Sequence, residues 1–107
     1  MLTFRDLQEQ QRPWVAHNFP GRDSYYPLLG AVEEIGELAH AHLKRVQGIR
    51  GTDEEHHAAA QDAVADVVIF LADYCSACGY DLQAVMETTW AQVQKRDWRA
   101  DPQNGAP

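Results

Sequence analysis

The chain has 107 residues, a hydrophobic fraction of 45% and a net charge of −7. That length allows one domain, that hydrophobic share excludes wholesale disorder, and the acidic balance excludes a nucleic-acid duplex as partner, because no basic stripe exists to displace counterions from phosphates. The opening Met1-Leu-Thr-Phe-Arg-Asp has neither a basic nor an apolar leader region, and no run approaches the ~18 apolar residues of a membrane span, so a cytoplasmic protein with no membrane partner is expected.

Helical periodicity dominates from the start. A first helix is predicted from Thr3 to His17, with Thr3 as N-cap and Asp6 completing a capping box, and with a break or kink near Arg12 because Pro13 follows. Asn18-Phe-Pro-Gly-Arg-Asp is turn chemistry. The second helix is predicted from Ser24 to Val46, with Leu28, Val32, Ile35, Leu38, Ala39, His42 or Leu43, and Val46 as its core stripe and Gly48 ending it. Thr52-Asp-Glu-Glu55 is a second capping box and opens a third helix that runs to Cys78, with Gly79 as its left-handed terminator. Asp81 caps a fourth helix, which is predicted to end near Arg96 and to bury Trp90. Cys75 and Cys78 read as packed thiols on an apolar stripe rather than a redox or zinc pair. The expected architecture is an all-α bundle of four or five helices whose central antiparallel pair carries an acidic metal site.

That site is the chain's most informative feature. Glu33, Glu34 and Glu37 fall within five residues, and Asp62 and Asp66 follow on the next helix. Like charges three and four apart on a helix repel, by roughly 0.2–0.5 kcal/mol per pair. The short loop makes helices two and three antiparallel, so residues whose numbers sum to about 100 lie level, which sets Glu34 against Asp66 and Glu37 against position 63. No Lys or Arg lies between Arg22 and Lys44 to neutralise the group. Oxygen-only ligands on rigid helices suit a hard divalent cation, Mg²⁺ first and Mn²⁺ as its substitute.

The phrases Glu33-Glu-Ile-Gly-Glu-Leu-Ala and Ala65-Asp-Val-Val-Ile-Phe-Leu carry a resemblance. From about Trp14 to Trp98 the chain resembles the MazG-like, all-α nucleoside triphosphate pyrophosphohydrolases. Glu33, Glu34 and Glu37 match the family's E-E-x-x-E motif, and Asp66 matches the aspartate of E-x-x-D. The glutamate of that second motif falls on Ala63, with Asp62 as the nearest substitute.

The resemblance implies a MazG-like domain over residues 1–99, and the two prolines and one glycine of residues 100–107 predict a flexible tail. It implies Mg²⁺-dependent hydrolysis of a (deoxy)nucleoside triphosphate between the α- and β-phosphates, in nucleotide-pool sanitation. Glu34, Glu37, Asp66 and Asp62 are then metal ligands and Glu33 the general base. Lys95, Arg96 and Lys44 are the expected phosphate contacts, Trp14 a stacking surface for the base, and His17 or Asn18 a reader of its polar edge. The resemblance also implies a homodimer or homotetramer.

Two other readings compete. A non-catalytic relative with a weakened metal site follows from Ala63. A di-iron carboxylate bundle would use Glu37 with His40 and Glu54 with His57, but their heights along the helices do not match. His40, His56 and His57 are expected at the surface near the loop, and Asp73 is expected to be solvated.

Overall fold

Two threonine capping boxes and two left-handed glycines set the helix boundaries. Thr3 Oγ1 accepts from the Asp6 N–H while Asp6 accepts from the Thr3 N–H, and Thr52 and Glu55 repeat the exchange. Gly48 (φ 69°) and Gly79 (φ 76°) end the two long helices in a conformation that a side chain would disfavour. A computed structural model describing residues 1–107 is accordingly all-helical. Its four helices are α1 (Phe4–Asn18), α2 (Tyr25–Gln47), α3 (Asp53–Cys78) and α4 (Leu82–Val93), arranged as a four-helix bundle without strands.

Pro13 does not break α1, which continues to Asn18. The carbonyl that loses its partner belongs to Glu9, and both residues are exposed, so water can serve it. Helix α4 ends at Val93, earlier than expected, where the Lys95 and Arg96 N–H groups close tighter turns on the Gln92 and Val93 carbonyls. Residues 97–105 form a set of turns in which the Asp97 N–H donates to the Gly105 carbonyl and Asp101 accepts from the Gln103, Asn104 and Ala106 N–H groups. Gly105 is buried against the Trp98 ring.

The main packing is between α2 and α3. The face of α2 turned to α3 is Pro27, Gly30, Ala31 and Ala41, answered on α3 by Ala63 and Phe70. These are mostly small residues, so the backbones approach closely. The register expected from the loop holds, since Gly30 lies against Phe70. Most of the predicted α2 core stripe is on the other side: Leu28, Val32, Ile35, Leu43 and Val46 are exposed in the single chain, while Leu38 is half-buried. Periodicity found a real apolar face, but the small-residue face is the one that fits α3.

Helix α1 docks on α3 through two buried glutamines. Gln8 Nε2 donates to Ser76 Oγ and the Tyr80 carbonyl, its Oε1 accepts from the Leu82 N–H, and Gln11 Nε2 donates to the Ile69 carbonyl. Gln8 thereby helps cap α4, with Asp81 accepting from the Ala84 N–H. Helix α4 leaves α3 at 109° and packs on α1. Trp90, expected in the core, is 59% exposed because α4 turns away from the central pair.

The α2–α3 contact is tested at Gly30, where an added Cβ would fall inside the Phe70 ring. Gly30→Ala is expected to destabilise the fold by about 1–3 kcal/mol, read as a lower Tm. A second change, Phe70→Leu, should recover part of the loss, and a Gly30→Ala variant as stable as the parent would contradict the close approach.

Candidate metal centre

Helix spacing places Glu33, Glu34 and Glu37 on adjoining parts of one turn of α2. Carboxylate oxygens, one from each, lie within 4.8 Å of one another. Glu33 and Glu37 are exposed, whereas Glu34 is half-buried and its Oε2 is shielded from solvent without a hydrogen-bond partner. Desolvation first, then the charges of Glu37, Asp66 and Glu33, push the Glu34 carboxyl above its ordinary range. Glu34 and Asp66 also line one cavity, so the predicted meeting of the two helices' acids is present for that pair. The four salt bridges of the chain are Arg5–Asp81, Arg22–Asp73, Arg45–Asp53 and His57–Asp53. None includes Glu33, Glu34, Glu37, Asp62 or Asp66, so no protein cation offsets the cluster.

Asp62 does not join this group. It is exposed, while Ala63 is 3% exposed and occupies the α3 position that faces α2 at that height. The helix rotation of about 100° between neighbours turns the Asp62 carboxylate away from the groove. Helix α3 brings Asp66 near Glu34, though outside the group of three glutamates whose oxygens lie within 4.8 Å, and it has an alanine close to one turn earlier.

The cavity beside Glu34 and Asp66 measures about 290 Å³ and is also lined by Gln11, Trp14, Phe19, Arg22, Ile69, Phe70 and Asp73. Trp14 and Phe19 meet edge to face with centroids 5.9 Å apart, and the Arg22 guanidinium sits 4.8 Å from the Phe19 ring centroid. Asp73, expected in solvent, is 7% exposed and ion-paired with Arg22. The partner comes from the α1–α2 loop, a contact no helical period reveals. On the other side of the cluster Glu37 lines a cavity of about 470 Å³ with His40, Arg50, Glu55 and His56. Arg50 adopts a left-handed backbone (φ 62°), and His56 is buried with Nε2 2.9 Å from the Ile49 carbonyl, contrary to the surface position expected for it.

The other predicted ligand contacts are not brought together. Lys95 and Arg96 lie exposed beyond α4, which leads away from α2, and line neither cavity. Lys44 donates to Gln47. Asn18 donates its amide to the Trp14 carbonyl and so closes the end of α1. Trp14 is the predicted base contact that does line the cavity; His17 does not. Of the basic groups, Arg22 and Arg50 are the ones beside the carboxylates, and neither was singled out from the sequence. Gln11 was also missed, although Gln8 and Gln11 share one face of α1 at a spacing that marks a buried polar seam. The histidines do not converge with Glu37 and Glu54 into an iron site, because the cluster of suitable ligands is the three glutamates. A scan against protein-family models matches none, and a search of curated proteins finds no match for this chain.

The residues present suit a hard divalent cation: donors are all carboxylate oxygens, one of them shielded and unpartnered. In the cation's absence, the raised Glu34 pKa costs stability wherever the carboxyl is ionised. That penalty is complete above the raised pKa and vanishes once pH falls below the ordinary glutamate value of about 4.3. Glu34→Gln in a chelating buffer is therefore expected to raise Tm at neutral pH and to leave it unchanged in acid. Mg²⁺ or Mn²⁺ should raise the Tm of the parent, by the equivalent of about 2.7 kcal/mol at 100 times the Kd, and do so far less for Glu34→Gln. Equal responses of the two proteins would contradict the assigned site.

Proposed function

We propose that the chain hydrolyses a nucleoside triphosphate between the α- and β-phosphates in a Mg²⁺-dependent reaction, as the resemblance of its two acidic motifs to the MazG-like enzymes implies. The observation that carries this reading is the Glu34 carboxylate, shielded, unpartnered and crowded by Glu33, Glu37 and Asp66 with no protein cation ion-paired to it. Such a cluster is unfavourable alone and favourable around a cation.

Glu34, Glu37 and Asp66 would hold the metal, with Glu33 at the exposed edge. When bound, a divalent cation supplies positive charge to the phosphate oxygens and to the developing negative charge of the leaving group. The chain's own groups do the rest. Glu33, reached by solvent, takes a proton from the attacking water, whose oxygen ends on a phosphate as the anhydride bond breaks. Arg50 and His40, beside Glu37, receive the pyrophosphate, the role that the sequence pattern suggests for Lys44, Lys95 and Arg96. The aromatic cavity beside Glu34 takes the other end of the nucleotide, against Trp14. Ala63 favours a second reading, a relative that binds metal without turnover, because α3 offers the cluster one carboxylate rather than two.

Pyrophosphate release from the deoxy- and ribonucleoside triphosphates with Mg²⁺ separates these readings. Glu34→Ala and Asp66→Ala should each lower the rate at least ~100-fold, in the range of lost electrostatic stabilisation, with helical content unchanged. Asp62→Ala should retain most activity. Inactivity of the parent toward every triphosphate, with metal binding intact, would sink the enzyme reading in favour of the second.

The chain also reads as one copy of a homo-oligomer. Its accessible surface is 7916 Å², against about 6,000 Å² for a typical folded monomer of 12.1 kDa. The excess, roughly a third, is what a sizeable obligate interface would cover. Leu28, Val32, Ile35, Leu43 and Val46 form an exposed stripe along α2. A second copy burying that stripe fits a dimer or tetramer. Light scattering should give a multiple of the chain mass, and Ile35→Glu should return it to the monomer. A monomeric parent at micromolar concentration would overturn this assembly.

A further inference from the structure

Arg50, in the loop that joins α2 to α3, is the one residue besides glycine with a positive φ, at 62°. That conformation is disfavoured for any residue with a Cβ, and it persists where the surroundings over-determine it. Here the loop is pinned at both ends. The Gly48 and Ile49 N–H groups close α2 on the Arg45 and Lys44 carbonyls, and Thr52 with Glu55 caps the start of α3. Between those ends, His56 Nε2 lies 2.9 Å from the Ile49 carbonyl. A carbonyl only accepts, so Nε2 carries the proton. The buried His56 ring also packs on Gly51, where an added Cβ would lie 3.2 Å from its Cε1. His56 thus holds the residues on either side of Arg50.

Arg50 lines the cavity of about 470 Å³ together with Glu37, His40 and Glu55. Two carboxylates share that space, yet none of the chain's salt bridges includes Arg50. Glu55 is committed elsewhere, since its Oε1 accepts from the Thr52 N–H. Glu37 belongs to the metal cluster. His40 follows Glu37 by three residues and lies on the same side of α2. The cavity therefore continues the metal centre toward the loop by about one helical turn, ~5.4 Å. At its loop end stands a guanidinium with no partner in the chain.

We propose that Arg50 makes the metal centre selective for linked phosphates over a single phosphate, and that His56 is the positioning residue that holds Arg50 for this task. A phosphate on a cation at Glu34 and Glu37 occupies the cluster. A second phosphate joined to it extends along the cavity to Arg50, whose planar fork suits two phosphate oxygens. A lone phosphate is shorter than the helical turn between these groups, so it meets one positive centre and not both. Arg50 is the specificity-determining residue, and His56 acts through it by fixing Ile49 and Gly51. The inference rests on the metal and triphosphate reading for the class of ligand, while its test uses inorganic anions and needs no hydrolysis.

Calorimetric titration of the full chain with pyrophosphate and with orthophosphate, both in Mg²⁺, measures the preference. Arg50→Gln should weaken pyrophosphate binding at least ~10-fold, the range for a lost hydrogen bond to a charged group, and orthophosphate binding less than about twofold. Arg50→Gly should weaken pyrophosphate as much yet raise Tm, because glycine takes the left-handed conformation without strain. A merely structural Arg50 would not move affinity and stability in opposite directions. His56→Gln keeps an N–H donor for the Ile49 carbonyl and should retain most of the pyrophosphate affinity, whereas His56→Phe should lose it and keep orthophosphate binding. The Arg50 variants decide the proposal even if His56→Phe is unfolded by circular dichroism. Unchanged pyrophosphate binding in Arg50→Gln, equal losses for the two anions, or no pyrophosphate binding by the parent at millimolar concentration would each overturn it. Full pyrophosphate affinity in a folded His56→Phe would overturn the role of His56. Triphosphate hydrolysis by a parent whose pyrophosphate binding ignores Arg50 would overturn this inference alone. Arg50-dependent pyrophosphate binding with no hydrolysis of any triphosphate would overturn the hydrolase reading alone.

Discussion

The close approach of α2 to α3 at Gly30 and Phe70 governs the geometry of everything around it. Because Pro27, Gly30, Ala31 and Ala41 present little side chain, the two helices pack along their length. That contact sets the register, and the register puts Glu34 into the cavity that Asp66 lines. A bulkier face would hold the helices apart and leave the acids in solvent, where their repulsion would be weak and their affinity for a cation low. Small-residue packing therefore creates both the electrostatic cost and the reason for a ligand.

The cost is left uncompensated by the protein. Arg22 reaches the neighbourhood but is taken by Asp73, and Arg50 lies on the far side of Glu37. The arrangement gives the groove a polarity. Trp14, Phe19 and the Arg22–Asp73 pair line the cavity beside Glu34 and Asp66, while Arg50, His40, His56 and Glu55 line the one beside Glu37. A ligand with a flat ring at one end and several anionic groups at the other matches that order of chemistry.

Helix boundaries were legible because they depend on local chemistry. Thr3, Thr52, Gly48 and Gly79 act through hydrogen bonds and backbone angles within a few residues of themselves. The level pairing of Glu34 with Asp66 was also legible, since a short loop leaves an antiparallel pair few registers. The choice of packing face was not. Helix α2 has one large apolar stripe and one small-residue stripe, and hydrophobicity points to the wrong one, because close packing rewards shape and a single copy lacks the surface that the apolar stripe would meet.

Sequence by itself determined the four helices, the alternation of caps and turns, and the three glutamates on one turn of α2, since all of these follow from spacing along one chain segment. Tertiary structure alone decided that Ala63 faces the groove while Asp62 does not, that Asp73 is buried on Arg22, and that Gln11 and Arg22 share a wall with unmet hydrogen bonds. Arg22 and Asp73 are 51 residues apart, and Gln11 reaches Ile69 across 58. Contacts of that span are set by how helices turn and dock, which no local period encodes.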